Sequence, residues 1–301
     1  MTVPQTLPAP GAGDTAPAGS GIRLSGVVRG VFADRGEPLV GWSAQLMDGV
    51  IGLHGLPVAG GTLAARRGNS FITLSTRLLD GLGPGARERL GELDGVFLAY
   101  RTPDLFSYDV AGCYLAEHLP GTPVPLAVAD QGAGAPFTAL GIAHAMAVAG
   151  RLGRGVLFVY DQRAGGWPAP GEADVPEDTD AAVLLVFGAG EGGAADGPVL
   201  SELREEPVVA VRPALEALAE RHPTARIVAG GALLDAVGED VAQWGGRVVG
   251  PPDGHHYTGP WAALAGLWPL AGPVVLAEYE PVTGRLHSCL FSPSSTQGAT
   301  A

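Results

Sequence analysis

Lysine is absent from the 301 residues, so all 18 basic side chains are arginines. This removes Schiff-base amines and Walker-type phosphate lysines, and with them whole classes of covalent and nucleotide chemistry. Asparagine occurs once, at Asn69, and cysteine only twice, at Cys113 and Cys289. Two cysteines support neither a disulfide scaffold nor a cysteine-ligated zinc site, and they fit a reduced, cytoplasmic setting. Positive charge is scarce overall, with a formal net charge of −13. Nucleic acid and anionic membrane surfaces need clustered basic side chains, so neither is expected as a partner. An acidic carrier protein would also be repelled by most of this surface. No uninterrupted apolar run of about 18 residues occurs, and no membrane span is expected.

What is present is a large apolar fraction, 46%, in a chain long enough to bury a substantial core. Residues 1–20 (MTVPQTLPAPGAGDTAPAGS) have neither a basic start nor a continuous apolar stretch, so they read as a disordered tail. The end, SPSSTQGATA, reads the same way. Between them, short Val/Leu/Phe runs alternate with Ala-rich stretches, the pattern of a mostly parallel sheet covered by helices. Strands are expected at 22–32, 94–100, 125–131, 154–162 and 180–188, with helices at 71–81, 84–92, 105–119 and 134–150. A second series has strands at 225–229, 246–250, 273–281 and 284–292, and helices at 231–244 and 258–270. From 94 to 188 and again from 225 to 292, the order is strand, helix, strand, helix, strand, strand. The Gly-rich GAGEGGAADGP near 190–207 supplies a break between the two series. An ordinary doubly wound α/β domain remains the alternative.

The segment ADQGAGAPFTALGIAHAMAVAG at 129–150 resembles the nucleophile region of thiolase-like condensing enzymes, the β-ketoacyl synthases among them. In that family a buried strand ends in a Gln-Gly-Cys-like pattern, and the Cys opens a long Ala-rich helix. The positive end of a helix lowers a thiol pKa, which favours the attacking thiolate. Here Gln131 and Gly132 are in place, and Ala133 stands where the resemblance implies Cys. The family's first histidine would follow the strand at 225–229, where the chain offers Gly230 and Gly231. Its second His or Asn would precede the helix at 258–270, where DGHHYTGPWAAL leaves His255 or His256 as the candidate.

The resemblance implies an α/β, five-layered αβαβα fold of two duplicated halves, at 21–190 and 191–292, flanked by disordered tails at 1–20 and 293–301. It further implies a non-catalytic, chain-length-factor-like subunit that forms a heterodimer with an active ketosynthase homologue in polyketide or fatty-acid-type biosynthesis. An acyl carrier protein or acyl-CoA is a further expected partner, and no cofactor or metal is expected. Two other readings stay open. One is a thioester decarboxylase or acyltransferase using His255 or His256 with Gln131; the other is an acyl-thioester binding protein that meets phosphate through Arg151 and Arg154. Asp253, His255 and His256 are competent zinc ligands by type, but three ligands within four residues rarely converge on one ion. Cys113 and Cys289 read as small hydrophobes, His144 as a satisfied interior or interface histidine, and Asp178 and Asp180 as turn-fixing residues.

Overall fold

Two nearly unbroken apolar runs, Arg154–Asp161 and Asp180–Ala189, pair as antiparallel strands with almost every residue buried. Strands this apolar on both faces need cover on both sides, and helices supply it. The computed structural model describes residues 21–293 apart from 35, 42–43, 47–48, 50–66, 84, 86–89, 107, 163–178, 190–196, 239–243, 253–254 and 256.

In chain order the first elements are β1 (Ile22–Phe32), β2 (Glu37–Pro38), β3 (Arg67–Gly68), α1 (Phe71–Gly81), β4 (Leu93–Tyr100), α2 (Ala111–His118), β5 (Gly121–Val128), α3 (Ala135–Val148), β6 (Arg154–Asp161) and β7 (Asp180–Ala189). They are followed by β8 (Val199–Pro207), α4 (Val211–Arg221), β9 (Arg226–Ala229), α5 (Gly231–Val237), β10 (Val248–Val249), α6 (Gly259–Gly266), β11 (Val274–Glu280) and β12 (Arg285–Ser292).

The main strands run in the order β10-β9-β11-β12-β8-β1-β7-β6-β4-β5. Read outward from the centre, one array is β1-β7-β6-β4-β5 and the other β8-β12-β11-β9-β10, so each strand of the second takes the place of its counterpart in the first. Strand directions match too: β4 is parallel to β5 and β6, β9 is parallel to β10 and β11, and the inner pairs of both arrays are antiparallel. The arrays meet where β1 passes β8, with Arg23 opposite Val199.

Alternation along the strands sorts the core into three layers. In β6, Leu157 and Val159 join the middle layer with Phe137 and Leu140 of α3 and Trp261 and Leu264 of α6. Val156, Phe158 and Tyr160 point the other way, against Leu74 and Leu78 of α1 and Leu115 of α2. On the far side Ile227, Val275 and Ala277 pack against Leu215 and Leu218 of α4 and Leu233 of α5. Helices α3 and α6 carry apolar residues on every face, as helices between two sheets must. This is the expected five-layered αβαβα arrangement.

Local sequence explains where the elements depart from expectation. Helix α1 matches its expected span: the Ser70 side chain accepts the Thr73 N–H, and Phe71, Leu74, Ser75, Leu78 and Leu79 form one buried stripe. The helix expected from 105 begins only at Ala111, because Asp104 accepts the Phe71 and Phe106 N–H groups and pins the preceding loop. Strand β5 ends at Val128, short of 131, and the left-handed backbone of Asp130 (φ 59°) turns the chain out of the sheet. Its prolines, Pro123 and Pro125, suit a strand at the end of the sheet order. Helix α5 stops at Val237, where Gly238 takes φ 80°. Strand β10 is shorter than expected and α6 ends at Gly266, ahead of 270.

Most of the helix expected at 84–92 lies outside the described residues. Besides the two-residue strands β2 and β3, β8 and α4 are additions to the expected series; VLSELREEP has no apolar alternation strong enough to mark a strand. They extend the repeated series by one strand and one helix. No helix among the described residues is long and apolar enough to cross a membrane.

Candidate functional site

The turn between β5 and α3 is a short 3-10 segment, Gly132–Gly134, with Ala133 at its centre. Gly132 has φ 49°, and a Cβ there would overlap the carboxylate of Glu280. A Cβ on Gly134 would come within 2.6 Å of the His287 ring. The turn is therefore pressed against β11 and β12, and glycine on each side of Ala133 makes that approach possible. Gln131 is exposed, and its Oε1 accepts a hydrogen bond from Thr138 Oγ1 at 2.5 Å.

Two glutamates of β11 reach Ala133 and Gly230. Glu280 Oε2 accepts the Ala133 N–H at 2.8 Å, and Oε1 accepts the Val282 N–H at 3.0 Å. Glu278 Oε1 accepts the N–H groups of Leu233, in the first turn of α5, at 3.0 Å and of Tyr279 at 2.8 Å. A Cβ on Gly230 would overlap Glu278 Oε2, so a histidine side chain has no room beside this glutamate. Burial pushes the Glu278 carboxyl up to about 8, only partly offset by its two backbone donors, with the charge of Glu280 adding to the rise.

At the head of α6 the situation is reversed, with many polar side chains in little space. His255, Tyr257 and Thr258 are all buried. His255 Nδ1 lies 3.5 Å from Asp161 Oδ2 at the end of β6, with both side chains almost fully enclosed. Among the described residues, Tyr257 OH and Thr258 Oγ1 have no hydrogen-bond partner. Burial holds the Tyr257 phenol well above its ordinary value against the pull of Arg101, and Asp161, Tyr100 and Glu280 reinforce the rise. A narrow gap of about 10 Å³, room for about one water, is lined by His255, Thr258, Ala262, Gly30 and Ala182.

The other expected residues divide. His256, Asp253 and Asp178 lie outside the described residues. Asp180 opens β7 and accepts both the backbone N–H and the Nδ2 of Asn69, which ties the link between β3 and α1 to β7. His144 is half-buried, and its Nδ1 has no hydrogen-bond partner among the described residues, so the interior alternative of its expected role is not met within this chain. Arg154 donates to the Leu90 carbonyl and backs the sheet, while Arg151 is exposed. Cys113 is exposed on α2 and Cys289 is buried in β12, where burial drives its thiol pKa far up. Among the described residues no group of three His, Cys, Asp or Glu could hold a metal ion.

Sequence reasoning does not single out Asp161, Tyr257, Glu278 or Glu280. A signal exists for the last two: in VVLAEYE the glutamates share the inward register of Val274 and Leu276.

No protein-family model matches the chain, and no curated protein matches it. Solved structures do. The 3-oxoacyl-(acyl carrier protein) synthase III FabH of Pseudomonas aeruginosa PAO1 superposes with a TM-score of 0.54 at 15% identity, covering 91% of this chain and 98% of its own. A cysteine-to-serine variant of Xanthomonas campestris OleA, with bound lauric acid and lauroyl-CoA, gives 0.57 at 11% identity, covering 90% and 99%. The ishigamide ketosynthase/chain length factor gives 0.58 at 13% identity, covering 91% and 99%. The fold is thiolase-like, of the ketosynthase III type. Within this thiolase-like scaffold, the turn at Ala133 and the buried cluster at His255 open the two middle helices.

Proposed function

We propose that the chain is a non-catalytic, chain-length-factor-like subunit that pairs with an active β-ketoacyl synthase, acting in the cytoplasm in polyketide or fatty-acid-type biosynthesis. The observation that carries this reading is the head of α3. Gly132-Ala133-Gly134-Ala135 offers no nucleophile, and both cysteines lie elsewhere, on α2 and β12. With Ala133 in the place of the family's cysteine, no acyl enzyme can form.

The retained thiolase-like scaffold and the likeness to a ketosynthase/chain length factor fit a subunit kept for its shape. Strand β5 ends the sheet order beside α3, and Val124 on it is 59% exposed, which leaves this edge open to a partner. Co-expression with a cysteine-bearing ketosynthase encoded nearby should yield a stoichiometric complex. A homodimer that ignores the ketosynthase and turns over malonyl thioester unaided would end this reading.

A second reading has one observation in its favour. His255 faces Asp161 inside a buried cluster, the arrangement of an oriented acid–base histidine. On this reading the chain is a thioester decarboxylase or acyltransferase, and His255→Ala abolishes turnover of malonyl thioester by the purified chain.

A further inference from the structure

We infer that Glu280 closes the acyl site from within: its carboxylate occupies the place at the Ala133 N–H that an incoming acyl oxygen would take. This rests on reading the head of α3 as the acyl site. It goes beyond the loss of a nucleophile, because it makes the site blocked as well as disarmed.

Three observations carry it. Glu280 is almost completely buried and both of its carboxylate oxygens are engaged, one by Ala133 N–H at 2.8 Å and the other by Val282 N–H at 3.0 Å. The side chain is therefore fixed across the turn. The turn itself is shaped to receive it, since any side chain at Gly132 would collide with the carboxylate. The same strand repeats the device two residues earlier, where Glu278 takes the Leu233 N–H and fills the space beside Gly230. Both places that lack the family's reactive side chains are thus filled by glutamates from one face of β11.

The electrostatic consequence is opposite to what a condensing enzyme requires. The entry to α3 would favour a thiolate through its positive end, but a carboxylate hydrogen-bonded to that entry offsets the field and repels a second anion. Restoring the cysteine alone should give a sluggish thiol.

The test compares Ala133→Cys with Ala133→Cys/Glu280→Gln, both in a Cys113→Ser background. Iodoacetamide is the probe: the thiolate sulfur bonds to carbon as iodide leaves, and peptide mass spectrometry reads alkylation at position 133. At pH 7 the double variant should react faster by about tenfold or more, the change that one unit of thiol pKa gives. Equal rates, or no reaction in either, would overturn the inference. If the double variant alkylates rapidly yet takes no acyl group from acetyl-CoA, the closure by Glu280 stands and the reading of the α3 head as an acyl site fails.

A second measurement needs no new thiol. Glu280→Ala should lose thermal stability and recover part of it in sodium acetate but not in sodium chloride of equal ionic strength, because acetate can occupy the vacated position. An identical response to the two salts counts against the inference.

Discussion

Helices α3 and α6 hold matching places in the two strand arrays, yet their first turns are opposites. The head of α3 is stripped to glycine and alanine, and its exposed backbone is satisfied from outside, by Glu280. The head of α6 carries His255, Tyr257 and Thr258, and among the described residues Tyr257 OH and Thr258 Oγ1 have no hydrogen-bond partner. A duplicated scaffold therefore does not imply duplicated chemistry. The strand order and the apolar middle layer demand only volume and hydrophobicity, which both helices provide. What stands in the first turn is free to differ, and here one turn has too few polar side chains and the other too many.

Separating the two helices should have the largest effect. Trp261 of α6 is 1% exposed, and its ring centroid lies 5.0 Å from that of Phe137 on α3. Trp261→Ala should destabilise the protein by about 3–5 kcal/mol, measured by urea unfolding. In a double-mutant cycle with Phe137→Ala, a coupling of about 0.5–1.5 kcal/mol would mark the middle helices as one packed unit. Zero coupling would mean that they fold as separate layers.

The next effect concerns β11. Because the Glu278 carboxyl titrates near 8 in the folded chain, above its ordinary 4.5, the folded state holds a proton that the unfolded chain releases. Its contribution to stability is complete below pH 4.5 and declines as pH rises toward 8, with a slope of up to about 1.4 kcal/mol per pH unit. Glu278→Gln keeps the shape without the titration, so the variant should gain on the wild type between these limits and level off above pH 8. Parallel stability curves for the two proteins would show that Glu278 does not carry this slope.

These two regions also mark what could be read from residues alone. The apolar runs at 154–162 and 180–188, the Ala-rich stretch at 134–150 and the Ser-capped helix at 71–81 were legible because each combines strong periodicity or continuous hydrophobicity with a clear stop. Strand β8 was not, because its alternation is broken by Glu202, Arg204, Glu205 and Glu206, and it is held in place by long-range pairing to β12. At the heads of α3 and α5, the small residues Ala133 and Gly230 were visible in sequence. The carboxylates that face them were not, since Glu280 meets Ala133 across 147 positions of chain. Asp161 was hidden for the same reason: only the fold brings the end of β6 to His255.

The smallest effect is the most diagnostic for the head of α6. The Tyr257 ring is buried, 4% exposed, and its hydroxyl has no hydrogen-bond partner among the described residues. An unsatisfied buried hydroxyl is a standing penalty of about 1–3 kcal/mol, whereas a phenyl ring of the same shape carries none. Tyr257→Phe should therefore raise stability, by about 1 kcal/mol, and the melting temperature by about 2 °C. Ser75→Ala serves as the contrast, because Ser75 Oγ donates to the Phe71 carbonyl and lies 2.6 Å from Tyr160 OH, so that its loss should destabilise. If Tyr257→Phe instead lowers the melting temperature as Ser75→Ala does, the hydroxyl is bonded in solution, and the surplus of polar groups at the head of α6 is a binding arrangement, the reverse of the closed turn at α3.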